Sequence, residues 1–589
     1  RINALSNTLL DGSGEVNLIS PWASIHTAPG ASLIQASDHT IRGHGVVSGS
    51  LVNNGRIVAD AAGQTLELSF YFKSNNGSIE AVNGGTLYFE EVHIDQGAAG
   101  VIGATGKGSV LRLDETEITG GTLAVADGAV FEYGDASTFG GVTLHGELDL
   151  VNTMLTVSDS LTNQGRITVR RDEDLPGILP KIRFANEDVL LDGVGAVVLD
   201  DVQTDSPLIE TVNYGVIING VGHTIEGRGR IAALLENGGL LSANVPGGRL
   251  SITGSSAWSG VRTVNDSVVE AINGAELHID SMTQTANGVI RADGAGSVVS
   301  MNGSFVLGRL ESTNGGLVSV DSECTLTSVA MQAQIQIQSG VRMKMLGDIT
   351  NNGVIQVNPL AGDEITTLQW GSWANPQMSI GGEGVIRLAA SGDRARIFGL
   401  DGVECELGPN QRLEGVGQIS MSLFHAGTIA PGLGIGTMTA VRPVEFLPTA
   451  RFEAEIAADS NDLFESTQSV VLDGVLNVDL VDGFSNSTGY WARTILSASS
   501  ITGEFTEIHI PEAAEGFRTR YYNTGTEFVV GQGCLSDLSF DGSLNFLDVA
   551  AFLVLFGELD ADADLNDDGQ WNFIDISLFL QDLSGGCAI

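Results

Sequence analysis

Two acidic stretches of twelve residues, 27 positions apart, carry residue types at a spacing that could hold a metal ion. The first runs Asp537-Leu538-Ser539-Phe540-Asp541-Gly542-Ser543-Leu544-Asn545-Phe546-Leu547-Asp548. The second runs Asp564-Leu565-Asn566-Asp567-Asp568-Gly569-Gln570-Trp571-Asn572-Phe573-Ile574-Asp575. Calcium takes roughly six to eight oxygens, and in a loop of this length side chains at positions 1, 3, 5 and 12 converge while position 7 offers its carbonyl. The expected ligands are Asp537, Ser539, Asp541, Ser543 and Asp548 in the first loop, and Asp564, Asn566, Asp568, Gln570 and Asp575 in the second, for two calcium ions. Gly542 and Gly569 stand at position 6, where the loop must turn sharply.

The flanking elements must hold these oxygens in place. Position 8 is apolar in both loops, Leu544 and Trp571, and should tie the pair together. Each loop runs into an apolar segment, Val549–Phe556 and Ile576–Leu583, fit to be a short buried helix. Residues 534–589 hold 11 acidic side chains and no Lys or Arg, so without cations the module would repel itself, and calcium is expected to couple to its folding. Cys534 and Cys587 bracket the module, as a disulfide clasping its ends would; Cys324 and Cys405 form the other candidate pair, and four cysteines allow three pairings.

This pattern resembles a dockerin domain: a type I EF-hand pair, Cys-bracketed and ending Gly585-Gly586-Cys587. The resemblance covers positions 534–589 and implies attachment to a cohesin-like or other surface receptor protein. The chain departs from the commoner pattern at Ser539, a weaker ligand than Asp or Asn. It departs again at positions 10 and 11, often polar in cellulosomal dockerins, which here are Phe546-Leu547 and Phe573-Ile574. Anchoring to a receptor other than a standard cohesin is the role these departures favour.

Catalytic signatures are sparse. Candidate carboxylate clusters are Asp200-Asp201 and the run Arg170-Arg171-Asp172-Glu173-Asp174, each expected to be a solvated acidic loop. The nine histidines show no His-Glu-x-x-His spacing, and no Gly-x-Ser-x-Gly elbow occurs. No catalytic residue is assigned. His39 and His223 share one position of an internal repeat and read as turn or stack residues.

That repeat organises the body of the chain. His39-Thr40-Ile41-Arg42-Gly43-His44-Gly45 returns as His223-Thr224-Ile225-Glu226-Gly227-Arg228-Gly229, and more worn as Arg412-Leu413-Glu414-Gly415-Val416-Gly417. Ile79–Leu87 matches Val269–Leu277, and Leu161–Ile167 matches Ile349–Ile355. These offsets define a unit of about 190 residues, present twice with a partial third copy. Inside it, Asn-Gly and Gly-Gly corners punctuate strands of period two at roughly 20-residue spacing. This predicts a mainly β protein: a long right-handed parallel β-helix over 1–440, terminal β coils capping it over 441–530, and the small α-helical calcium-binding domain over 534–589. A β-sandwich array competes, but its strands usually recur every ~8–12 residues. The body resembles autotransporter-like or adhesin-like passenger regions, and Gly427–Thr437, with its Pro431-Gly432, resembles the motif that precedes their closing coils.

Composition sets the outer bounds. Gly is 77 of 589 residues, charged residues are only 17%, and yet the net charge is −44, with 28 Lys and Arg against 72 Asp and Glu. So few scattered cations argue against nucleic acid as a partner. The longest apolar run, Val549–Phe556, is too short to span a bilayer, so no transmembrane segment is expected. The chain opens at Arg1 in mid-pattern, which puts any secretory signal upstream. The expected protein is an extracellular or cell-surface structural, adhesin-like β-helix, with polysaccharide as a second candidate partner. The alternative is a polysaccharide-degrading lyase or glycoside hydrolase carrying a dockerin-like tail. A cleft lined by three or more carboxylates on adjacent coils would favour the alternative.

Overall fold

The computed structural model describes residues 1–589 except 135–136, 175–176, 186–187, 201–206, 213–214, 254–262, 375, 391, 482–490, 512–516, 523–524, 533, 535, 540–542, 567 and 586–589. Two compact units are distinguished, Arg1–Ser319 and Val320–Ile589, and both are built of parallel rungs.

In the first unit most strands are three to five residues long, each hydrogen-bonded in parallel to the strand one coil later. Ile57, Ile79 and Ile102 lie opposite one another on three successive coils. The coils lengthen where Leu161 faces Leu191 and Val197 faces Ile225. Alternation sends one set of side chains inward, and Leu66, Leu87 and Leu111 stack there with no exposure. Each such buried side chain contributes about 1.5–3 kcal/mol. The expected parallel β-helix is therefore the architecture found.

The repeated motif forms strands Thr40–Ser48 and Thr224–Ala232 in this unit, with the same alternating burial. Its first glycine has a steric cause. Gly43 pairs with Leu18 and Gly227 with Leu199, at φ of 101° and 112°, and a Cβ on either would lie 2.0 Å from that leucine's carbonyl oxygen.

The corners carry a second layer of order. Asn53 donates to Asn75 (2.8 Å) and Asn75 to Gln96 (3.0 Å) on successive rungs. A longer ladder joins Asn219, Asn237, Asn265 and Gln284. All these amides are buried, so each bond satisfies a group that would otherwise be costly to desolvate.

The second unit begins with the same rungs. Its copy of the motif strand is Arg412–Ser420, where Gly415 meets the Leu388 carbonyl as Gly227 meets that of Leu199. After Gly432 and Gly434, both left-handed, parallel rungs continue through Glu507–His509. An antiparallel pair, Phe517–Tyr522 and Glu527–Gln532, lies against Trp491–Ser497. Here the aliphatic stack gives way to rings: Phe446 meets Phe452, Phe464 and Phe505 edge-on, and Phe528 meets Phe505. Two helices follow, α1 (Phe546–Glu558) and α2 (Phe573–Gly585). Among the described residues no helix is long and apolar enough to cross a membrane.

Candidate metal centre

The two twelve-residue loops end on the first turns of α1 and α2 in matching fashion. Asn545 caps α1: its Oδ1 accepts the Leu547 amide (2.8 Å), and Asp548 Oδ2 accepts the amide of Asn545 (2.8 Å). Asn572 repeats both contacts at α2, accepting from Ile574 and donating its amide to Asp575, each at 2.8 Å. These capping asparagines, at position 9 of each loop, were not among the expected site residues. The signal was present, since Asn followed three residues later by Asp just before an apolar run marks a helix start. Each Asn Nδ2 also donates to the carbonyl of position 7, Ser543 at 2.9 Å and Gln570 at 3.1 Å, the carbonyls expected to face an ion.

The second loop is described at every expected ligand. Asp564 accepts the amides of Asp568 (3.2 Å) and Gly569 (2.7 Å), and Gly569 sits at φ 72°, the left-handed turn that position 6 requires. Asn566 turns its Nδ2 to Asp568 (2.9 Å). Two oxygens at ligand positions then remain buried without a donor, Asn566 Oδ1 and Asp575 Oδ1. A buried carboxylate oxygen with no partner is expensive, and a cation is the group that would satisfy it.

In the first loop Asp537, Ser539 and Asp548 are buried, Ser539 donates its amide to Asp548 Oδ1 (2.8 Å), and Ser543 is exposed. Asp541 and Gly542 lie outside the described residues. Among the described residues no three Asp, Glu, His or Cys side chains gather closely enough to hold an ion by themselves. The donor set that fits is mixed: carboxylates with amide, hydroxyl and backbone oxygens, which is what a calcium loop uses.

A small core holds the loops together. Phe552 of α1 and Phe579 of α2 stack at 4.3 Å with 12° between planes, amid Leu538, Ala563 and Leu565. Trp571 packs on this core as expected for position 8, whereas Leu544 is only half-buried. The helices are not the buried ones expected: Leu553, Val554 and Leu580 are exposed, as are Phe546 and Phe573. A two-helix module has too little interior to cover every apolar side chain. Cys534 is disulfide-bonded, and its expected partner Cys587 lies outside the described residues. Cys324 and Cys405 are both buried and are not joined in a disulfide.

The other sequence candidates are scattered. Asp200 is ion-paired to Arg228 (2.8 Å), and Asp201 lies outside the described residues. Arg170 pairs with Asp149, and Asp172 is tied to Asn152 through its own backbone, so the acidic run is surface structure. His223 is buried between Asn219 and Asn163, a stack residue as expected. A groove of about 370 Å³ in the second unit was not anticipated: Asp348, Glu404 and Glu406 line it with Ser379 and Phe424, from neighbouring rungs. These carboxylates are far apart in sequence or sit in an ordinary strand pattern, and no motif marks them.

No family model matches this chain, and no curated protein matches it.

Proposed function

We propose that this chain is an extracellular or cell-surface structural protein, a non-catalytic β-helix anchored through a C-terminal module that binds two calcium ions. The observation that carries this reading is the pair of donorless buried oxygens, Asn566 Oδ1 and Asp575 Oδ1, at ligand positions 3 and 12 of the second loop. Asp564, Asn566, Asp568, Asp575 and the Gln570 carbonyl would hold one ion; Asp537, Ser539, Asp541, Asp548 and the Ser543 carbonyl would hold the other. The ion supplies positive charge among acidic side chains and ties each loop to its helix. The dockerin-like arrangement supports a receptor protein as the partner, and the exposed Phe546-Leu547 and Phe573-Ile574 pairs offer it apolar contacts. Thermal unfolding of the purified chain with calcium and with EDTA tests the reading. Calcium at about a thousandfold over Kd should add about 4 kcal/mol to the module's stability for each ion bound. A melt that EDTA leaves unchanged removes the calcium module.

A second reading, a polysaccharide-degrading enzyme with the same tail, is favoured by the groove that Asp348, Glu404 and Glu406 line, with the two glutamates on one strand and Asp348 two coils earlier. Release of reducing ends from neutral or acidic polysaccharides, abolished in Glu404→Gln or Glu406→Gln, would establish it; no release from any of them leaves the structural reading standing.

A further inference from the structure

The first unit turns one of its corners on Phe70 and Tyr71, both in the left-handed region at φ 51° and 59°. Bulky residues avoid that conformation, and on the rung before, Gly49 occupies this corner. Phe70, Tyr71 and Phe72 are nonetheless 46%, 56% and 48% exposed, so burial does not compensate the strain. What holds the turn is beneath it: Lys73 is fully buried and its ammonium donates to the carbonyls of Gly49 (3.0 Å), Ser69 (3.0 Å) and Phe70 (2.9 Å). Backbone strain of this kind clusters at ligand sites, which makes the corner a place to look for one.

The surroundings state what kind. Phe72, His93 and Glu117 face outward on three successive rungs, with the Phe72 and His93 rings stacked at 5.2 Å and His93 paired to Glu117. Glu91 and Glu115 take the left-handed corners of the next two rungs after Tyr71, at φ 49° and 44°, and both are exposed. The rung before carries only Ser48, Gly49 and Ser50 here, so the side of Phe72 turned away from His93 faces small residues. Rings supply apolar contact to C–H groups, and the carboxylates accept hydrogen bonds from hydroxyls. Rungs stack about 4.8 Å apart, close to the length of one sugar unit in an extended chain. Arg112, an exposed cation on the strand that leads to Glu115, is held over Tyr88, and the charged groups the corner itself presents are carboxylates.

We propose that the corner formed by Phe70, Tyr71 and Phe72, with Glu91, Glu115 and Glu117, is a binding site for an extended, neutral, β-1,4-linked polysaccharide. The straight column of groups matches an extended chain, whereas an α-linked glucan would coil away from it. This site does not depend on the calcium module.

Affinity electrophoresis of the full chain, in calcium, through gels containing hydroxyethyl cellulose, dextran or polygalacturonate tests it. Hydroxyethyl cellulose should retard the protein, and dextran and polygalacturonate should not. A Tyr71→Ala, Phe72→Ala double variant should lose about tenfold in affinity. Trp373→Ala, which removes an exposed ring in the other unit, should lose nothing. In case the double variant fails to fold, Glu91→Gln with Glu115→Gln leaves the rings and backbone intact and should weaken retardation severalfold. No retardation by hydroxyethyl cellulose, equal retardation of the folded double variant, or stronger retardation by polygalacturonate overturns the proposal.

Discussion

Asp548 and Asp575, the last residues of the two loops, are both completely buried, and each accepts the amide three positions upstream at 2.8 Å. One carboxylate therefore does two jobs, closing a helix N-terminus with one oxygen and turning the other back into its loop. In the first loop the second oxygen takes the Ser539 amide, and in the second it has no donor. The second loop should thus bind calcium more strongly than the first. Replacing Asp575 by Asn keeps an acceptor for Asn572 but removes the charge. Calorimetric stoichiometry should fall from two ions to one, with the lost site weakened at least about tenfold. Asp537→Asn should instead remove the weaker site. If both variants still bind two ions with unchanged affinity, these loops are not the calcium ligands.

The repeated glycine is equally testable. At Gly227 a methyl group would stand 2.0 Å from the Leu199 carbonyl oxygen in a left-handed backbone, whereas at Gly30, also left-handed, nothing lies within 4 Å. Gly227→Ala should cost about 3 kcal/mol or more, and Gly30→Ala about 1 kcal/mol, because only the first must push a neighbouring strand aside. Urea unfolding of the two variants beside the parent measures the difference. Equal costs would mean that the motif glycine serves only its backbone angle.

These glycines also show why the fold was legible. A residue that can only be Gly recurs with its coil, so the long repeat survives in the sequence as Gly43, Gly227 and Gly415. The two twelve-residue loops proposed to hold calcium stand out in the sequence for a similar reason: ligand positions on a short loop admit few side chains. The Asn ladders were not. Asn53-Asn54-Gly55 reads as a turn, and nothing local says that Asn53 points inward to Asn75 while Asn54 stays at the surface. Phe72-Lys73 runs against the polarity of its residues, since the apolar ring is outside and the cation inside. Three carbonyls brought together from two rungs reverse the pattern, and they belong to the fold and not to the local sequence.

Lys73 accordingly carries a pH signature. Burial lowers its pKa from 10.5 to about 7, opposed by the three carbonyl acceptors, which favour the charged form. Between pH 7 and 10.5 the unfolded chain then binds more protons at this site than the folded one, so the site's contribution to stability rises as pH rises through that window. Lys73→Met should flatten that rise. It should also cost about 3 kcal/mol at neutral pH by depriving three carbonyls of a donor. Denaturant melts from pH 7 to 10 decide the matter, and a variant as stable as the parent would show that the ammonium holds nothing.

His223 gives the opposite limb of the pH range. Its Nδ1 lies 2.8 Å from Asn219 Oδ1 and its Nε2 3.2 Å from Asn163 Nδ2, so the ring donates from the first nitrogen and accepts at the second, as a neutral imidazole. A second proton would turn the accepting nitrogen against an amide donor. Burial is the main cause holding its pKa near about 4, partly offset by the Asp192 carboxylate. With a folded pKa below the unfolded 6.5, the unfolded state binds the extra proton first as pH falls. Stability from this site is complete above pH 6.5 and declines between 6.5 and 4, by about 3 kcal/mol at most. His425, lowered by burial in the same way, adds a limb of the same sign, so the comparison must be with a variant. The third copy of the motif supplies one: Gln411 stands at the matching position and exchanges hydrogen bonds with Asn351, much as His223 meets Asn163. A glutamine keeps a donor and an acceptor and has no charge to gain. His223→Gln should leave neutral-pH stability within about 1 kcal/mol of the parent and reduce the loss between pH 6.5 and 4. An identical acid limb in the variant would place the sensitivity in His425 and the surface carboxylates instead.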